Sequence, residues 1–464
     1  MVNEVKHRLL SGALWAFGGK LLSVLFGFLI NLMLARNMAV DQYGAYFVIL
    51  NTIIVTASMG TLGVDQVVVR FVAAALGIGA QSVARLVIIK CLVVAALGGL
   101  ASGVALYAVT PWLFGSLMKM SVAVPLAALL MIWSVASTIQ RQLAESFRGL
   151  NDIRFATLFG GLRSNGAIIC IIMLVAVAIS SLRGRIDLRD VVMMSIWSAF
   201  CVALLAALTL KGRLKVFTSN ASPGASEELG FGRAIHEGWP IWIAIGITML
   251  REQGVGWFAG AFDSAEHVAL FGVAQRFVLL ITIPLFVINT VLPPLVADLY
   301  AKGETSRMER VVRTVSGLAS LPCLAALAIL ALTGQPILRV LFGEFYESSY
   351  PLMLILSIGY LADILTGSWQ VVLPMTGLRR QTIRVSVCAG VAQFAACLVG
   401  GHLAGVYGVA IGLMIGMLVG NLYGVFLVRR HLGIWTVVSI RKNDLIDAAA
   451  MLGRRFPLIG FRRS

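Results

Sequence analysis

The chain has 464 residues and a mass of 49.7 kDa. Apolar residues make up 59%, charged residues only 12%, and the mean hydropathy is +0.92, whereas a soluble domain carries about 25% charged residues. A soluble globule, a disordered chain and a soluble catalytic domain are therefore excluded, the last because no polar stretch is long enough to build one. The apolar runs are continuous rather than alternating, which excludes a transmembrane β-barrel and predicts a polytopic helical membrane protein.

In chain order, the runs predict about twelve transmembrane helices near 11–35, 44–64, 86–110, 120–140, 159–180, 191–210, 239–260, 268–295, 314–333, 350–372, 385–401 and 407–428. The first run is too long for the core of a signal peptide and is read as a retained helix. Of 37 Lys and Arg residues, six (Arg36, Lys119, Arg183, Arg185, Arg189 and Arg339) fall in one set of alternate loops. Nearly all the others fall in the opposite set, with both ends of the chain. Excess positive charge marks the cytoplasmic side, so both termini are expected in the cytoplasm. The net charge of +16 is thus read as a topology signal, with no nucleic-acid partner. The basic stretch 429–464 is expected to lie on the anionic inner leaflet.

A weak repeat recurs at a spacing of roughly 225 residues. Val72-Ala73, Gly79, Ser82 and Val87 recur as Val296-Ala297, Gly303, Ser306 and Val311. Leu113-Phe114-Gly115 recurs as Leu341-Phe342-Gly343, and Gly149-Leu150 as Gly377-Leu378. The organisation expected is an N-terminal six-helix lobe over 1–210, a cytoplasmic linker over 211–238, a C-terminal six-helix lobe over 239–428 and a basic tail over 429–464. An even number of spans per lobe places the pseudo-two-fold axis along the membrane normal.

Polar residues inside spans face a bundle interior or a wet cavity. Stripes at helical spacing contain Asn31 in span 1, Gly44, Asn51, Ser58 and Asp65 in span 2, Gln275 and Asn289 in span 8, Asp363 and Gln370 in span 10, and Gln393 in span 11. Asn31, Asn51, Gln275, Asn289, Gln370 and Gln393 are candidates to line a polar cleft, with interhelical hydrogen bonding as the plainer alternative. Lys20, Arg251, Glu252, Arg276 and Asp363 are ionisable at membrane depth, which costs about 2.5–3.5 kcal/mol per charge at a helix centre. Lys20, Arg251 and Arg276 are candidates for a cationic cleft that receives an anionic head group, since the Arg fork matches phosphate. Glu252 and Asp363 are candidates for a coupling proton or sodium ion. The alternatives are a structural ion pair of Asp363 with Arg251 or Arg276, and a snorkelling Lys20.

Gly408, Gly412, Gly416, Gly420 and Gly424 form a four-residue ladder read as helix packing. The six cysteines are read as small buried residues without disulfides or metal. No nucleotide-binding loop is present.

Gly12-x-x-Trp15, Asn31-Leu32-Met33-Leu34-Ala35-Arg36, Asp41-Gln42-Tyr43-Gly44, Pro293-Pro294 with Leu299-Tyr300, Leu341-Phe342-Gly343 with Tyr346, and Gly377-Leu378 resemble the polysaccharide-transporter family of lipid-linked oligosaccharide flippases, the O-antigen flippases. That family shares its fold with multidrug and toxic compound extrusion (MATE) transporters. The resemblance implies an alternating-access transporter in the bacterial inner membrane, not an enzyme. It would move an undecaprenyl-pyrophosphate-linked glycan for surface polysaccharide synthesis, with no cofactor beyond an H+ or Na+ gradient. Its partners would be membrane lipids and the polymerase and glycosyltransferases of the pathway. A cation or drug efflux antiporter of the same fold and a non-transporting membrane scaffold of a glycan-assembly complex are the alternatives.

Overall fold

The computed structural model describes residues 2–160, 166–215 and 231–438. Every regular element among them is helical, as a chain in lipid requires when no water is present to satisfy free backbone groups. The helices are α1 (Val2–Asn37), α2 (Val40–Gly60), α3 (Val64–Gly77), α4 (Gln81–Thr110), α5 (Ala127–Gly149), α6 (Ile153–Leu158), α7 (Ala167–Ser181), α8 (Leu188–Lys215), α9 (Phe231–Phe262), α10 (Ala265–Ile281), α11 (Ile283–Ala301), α12 (Thr305–Phe342), α13 (Tyr350–Thr366), α14 (Trp369–Met375) and α15 (Arg379–Leu432). Among the described residues, seven helical stretches are long and apolar enough to cross a membrane, and Leu21–Asn37 and Ala167–Ser181 are shorter apolar helices. The chain is a multi-pass membrane protein, and most of the described residues of the predicted spans fall on helix.

Predicted spans 2, 8, 10, 11 and 12 differ from the observed helices. Span 2 ends at Gly60, because Leu62 and Gly63 take left-handed φ of 50° and 79°. Asp65 therefore opens α3 instead of closing the polar stripe of α2. Span 8 is two helices that meet at Thr282. Span 10 breaks at Gly367, whose φ of 70° and ψ of −156° suit glycine alone. Spans 11 and 12 run on as one element, α15, folded at Ala404 and Gly405, which have non-helical backbone angles.

The chain divides into two compact units, Met1–Gly272 and Val273–Ser464. In the first, α9 is fastened along α2. Trp242 Nε1 donates to the Met59 carbonyl at 3.1 Å, and Trp257 Nε1 to Thr52 Oγ1 at 2.8 Å. Gly256 lies so close to Asn51 that any side chain there would collide with its amide. Gly60, Gly98 and Gly99 bring α2, α4 and α5 together around Thr138, whose hydroxyl donates to Ser134 O at 2.9 Å. Hydrogen bonds between helices in membranes average only about 0.6 kcal/mol, so close backbone approach contributes at least as much to this assembly.

In the second unit the glycine ladder closes the two arms of α15 into a hairpin. Gly408 faces Gly400, and a Cβ on Gly412 would lie 2.5 Å from Cys397 N. A Cβ on Gly416 would lie 2.5 Å from Gln393 Cβ, and one on Gly420 3.1 Å from Ala389 Cβ. Gly424 continues the ladder against Trp369, whose Nε1 donates to Asn421 Oδ1 at 2.7 Å. The ladder is packing, as the sequence indicates.

The internal repeat is visible in matching corners. Gly79 and Gly303 both have left-handed φ, at 74° and 72°. Each corner is closed by a bond spanning five residues, Ala80 N to Ala75 O at 2.9 Å and Glu304 N to Leu299 O at 3.0 Å. This is the Schellman arrangement at a helix C-terminus. A second pair closes Asp152 N to Phe147 O and Leu378 N to Leu373 O. Here Asn151 (φ 59°), not Gly149, is the counterpart of Gly377 (φ 81°). The repeat pairing is shifted by two residues because Asn tolerates the left-handed region.

All six cysteines are free. Cys91, Cys170, Cys323 and Cys397 are buried, but Cys201 and Cys388 are exposed on α8 and α15. The reading of all six as interior residues is corrected for these two, since small apolar residues are equally at home on the outer face of a span.

Replacing Gly416 by Leu should part the α15 hairpin and cost about 1–3 kcal/mol, as overpacking does. Gly420→Ala, with only a few tenths of an ångström to gain, should cost under about 1 kcal/mol. Thermal melting in detergent separates the two; equal losses would contradict the hairpin contact.

Candidate functional site

The most deeply buried charge described, Asp65, lies in the first unit, at the α2–α3 corner. Asp65 is 1% exposed and Arg141, on α5, 14%. The guanidinium donates to Asp65 Oδ2 from Nη2 at 2.7 Å and from Nε at 3.2 Å, and to Ser58 Oγ from Nη1 at 2.6 Å. Asp65 Oδ1 accepts the Gln66 N–H at 3.0 Å. One Arg thus ties the end of α2 and the first turn of α3 to α5. Glu145, one turn beyond Arg141, pairs with Arg148 at 2.7 Å. The sequence places Asp65 on a polar stripe but not Arg141, which looks like a flank of span 4 until α5 is seen to run on to Gly149.

The predicted site residues of this unit fall on α1, α2 and α9. Asn31 is buried and accepts from Tyr43 OH at 3.5 Å, while its amide donates to Gly27 O at 2.6 Å. Asn51 is buried against Gly256 of α9. Both are thus buried among neighbouring helical residues. Arg251 is half-buried on α9, and Glu252 beside it is exposed, as adjacent helical positions about 100° apart allow. The Lys20 side chain lies outside the described residues.

In the second unit, Gln275 and Arg276 are half-buried neighbours on α10. Gln393 is buried under Gly416 in the α15 hairpin. Asn289, Asp363 and Gln370 gather at the break in span 10. Gln370 Nε2 donates to Asp363 Oδ1 at 3.0 Å, across the break. Ser368 Oγ lies 2.9 Å from Ser316 Oγ and donates to Asn289 Oδ1 at 2.7 Å, linking α11, α12 and α14. Ser316 and Ser368 are not among the sequence candidates; a lone serine in an apolar run carries no distinguishing signal. The chemistry on offer is electrostatic and hydrogen-bonding. Among the described residues no three His, Cys, Asp or Glu side chains gather as a metal cage.

The all-helical fold is similar to that of several solved membrane transporters. An inward-facing multidrug resistance MATE-family transporter of the MOP superfamily is 15% identical with a TM-score of 0.70, covering 91% of this chain and 98% of the other. A MOP superfamily transporter from Pyrococcus furiosus, described as having a binding pocket of reverse polarity, is 15% identical with a TM-score of 0.63, covering 92% and 96%. The lipid II flippase MurJ in an inward closed conformation is 12% identical with a TM-score of 0.64, covering 98% and 94%. At these identities the likeness is one of fold. No curated protein matches the chain in sequence. The profile of a family described as polysaccharide biosynthesis protein matches residues 9–300, and one described as MatE matches residues 240–399. The first spans well over half of the chain, which belongs to the polysaccharide biosynthesis protein family. The fold is one shared by solved membrane transporters.

Removing one partner of a buried pair strands the other charge at a cost of about 3–5 kcal/mol. Arg141→Ala should therefore destabilise the first unit severely, and the double change Asp65→Asn with Arg141→Gln should cost less than the sum of its parts. A double-mutant cycle read by thermal melting tests this; simple additivity would show that the pair is not coupled.

Proposed function

We propose that this protein is a flippase that moves an undecaprenyl-pyrophosphate-linked oligosaccharide from the inner to the outer leaflet of the bacterial inner membrane, for assembly of O-antigen, capsule or exopolysaccharide. The observation that carries the reading is the match to the polysaccharide biosynthesis protein family over residues 9–300. A lipid-carrier flippase among the fold relatives supports it. The chain works as two six-helix halves, 1–210 and 239–428, joined by 211–238, with 429–464 as a basic tail and both termini in the cytoplasm. Lys20, Arg251 and Arg276 supply the positive charge that holds the pyrophosphate, because Arg presents two parallel donors to phosphate oxygens. Glu252 and Asp363 take up the coupling proton or sodium ion, and alternating access carries the head group across. The polymerase and glycosyltransferases of the same pathway deliver and consume the substrate.

A second reading, efflux of a small cation, is favoured by the MatE match over residues 240–399. The two differ in the sign of the residues that hold the cargo.

Arg251→Ala and Arg276→Ala should each abolish surface glycan without lowering the amount of protein in the membrane, and the lipid-linked intermediate should accumulate. Surface-glycan staining with an immunoblot of the membrane fraction tests this; normal export by both variants would defeat the cationic site. A fluorescent protein fused after Ser464 should fluoresce, as it does only when folded in the cytoplasm. A dark fusion that nevertheless accumulates would reverse the topology.

A further inference from the structure

The break in span 10 is covered by a stretch of chain that no capping requirement explains. The end of α15 is closed by Gly433, in left-handed conformation at φ 73°, with Gly433 N donating to Arg429 O at 3.0 Å. That completes the helix terminus. The following five residues nevertheless continue onto other elements. Ile434 is 4% exposed and joins the apolar cluster of Trp369, Val372, Val315 and Val428. Thr436 is fully buried, while Trp435 and Val437 between and after them are 44% and 37% exposed. This in–out alternation is that of an extended segment with one face docked.

The docked face meets the break itself. Val438 N donates to Leu365 O at 3.0 Å. Leu365 is two residues before Gly367, so its carbonyl is one that an unbroken helix would have satisfied internally. The Thr436 carbonyl lies against Gly367 closely enough that a Cβ there would collide with it. Arg313, on α12, donates from Nε to Val437 O at 3.1 Å. The segment therefore satisfies a backbone group released by the break and ties the break to a third helix. Asp363 and Gln370 stand on opposite sides of the same break, joined at 3.0 Å.

We infer that Gly433–Val438 is a strap that holds the break in span 10 closed, and that its release lets α14 pivot on Gly367 and parts Gln370 from Asp363. The strap is a positioning element: it touches the backbone on which the polar pair is mounted, not the pair. Its bearing on transport rests on the reading of Asp363 as a coupling-ion residue; its mechanical role does not.

The test is amide hydrogen exchange of the full-length protein in lipid nanodiscs, read over residues 363–372, beside a glycan-export assay in cells. Val438→Pro deletes the Val438 N–H that donates to Leu365 O, and truncation after Leu432 deletes the strap. Truncation after Val438 removes the basic tail and leaves the strap in place. The first two should speed exchange at 367–372 by about tenfold or more, with other helices of the second unit unchanged, and the third should leave it within about twofold of the wild type. Gly367→Ala, which displaces Thr436, should behave like Val438→Pro. Exchange at 367–372 within about twofold of wild type in both Val438→Pro and the Leu432 truncation would overturn the strap, as would equal acceleration across the whole unit. Faster local exchange with undiminished export would uphold the strap and overturn the transport role of Asp363 and Gln370.

Discussion

A backbone or charge inside lipid has to find its partner within the protein, and that constraint governs this molecule more than hydrophobic burial does. Lipid tails are as apolar as leucine, so no hydrophobic gain drives one helix onto another. Glycines instead allow backbones to touch, as at Gly400 and Gly408 or Gly256 and Asn51. Wherever a helix is interrupted, something fixed must satisfy what the interruption releases. At the α2–α3 corner that is the Arg141 fork on Ser58 and Asp65. At the break in span 10 it is Ser368 between Ser316 and Asn289, together with the Val438 amide.

The two halves of the repeat solve the same problem with different chemistry. Asp65 and Asn289 are counterparts at the offset that pairs Gly79 with Gly303, and Arg141 and Gly367 at the offset that pairs Asn151 with Gly377. The first half thus holds its corner with a buried ion pair on a continuous α5, while the second has a neutral amide and a broken helix. An ion pair in low dielectric resists displacement, because parting it strands two charges. A glycine break held by single hydrogen bonds, among them Val438 N to Leu365 O and Gln370 Nε2 to Asp363 Oδ1, opens at lower cost. The asymmetry assigns rigidity to one half and a hinge to the other.

The apolar spans and the repeat were legible because each rests on a strong one-dimensional signal: apolar run length and shared order of motifs. The glycine ladder was legible for the same reason, since a perfect period of four has a single packing consequence. What sequence could not supply is where a long apolar run is interrupted. Thr282 and Gly367 look like any small residue in a span, and so span 8 and span 10 read as single helices. Arg141 was hidden because a charge near a span end looks like a loop residue until the helix is seen to extend past it. Of the polar stripes, Asn31, Asn51 and Gln393 are buried between closely approaching helices. Asp363, Gln370 and Asn289 do meet at one place, through a break that periodicity does not reveal.

The central claim, that the cargo is an anionic lipid-linked glycan, is tested most directly in proteoliposomes holding the purified protein and a pyrophosphate-linked oligosaccharide lipid placed in one leaflet. With an ion gradient imposed, the glycan should become accessible to an added lectin in the opposite leaflet, at a rate that scales with protein content. No change in lectin accessibility, with a cationic dye expelled from the same vesicles under the same gradient, would contradict the account.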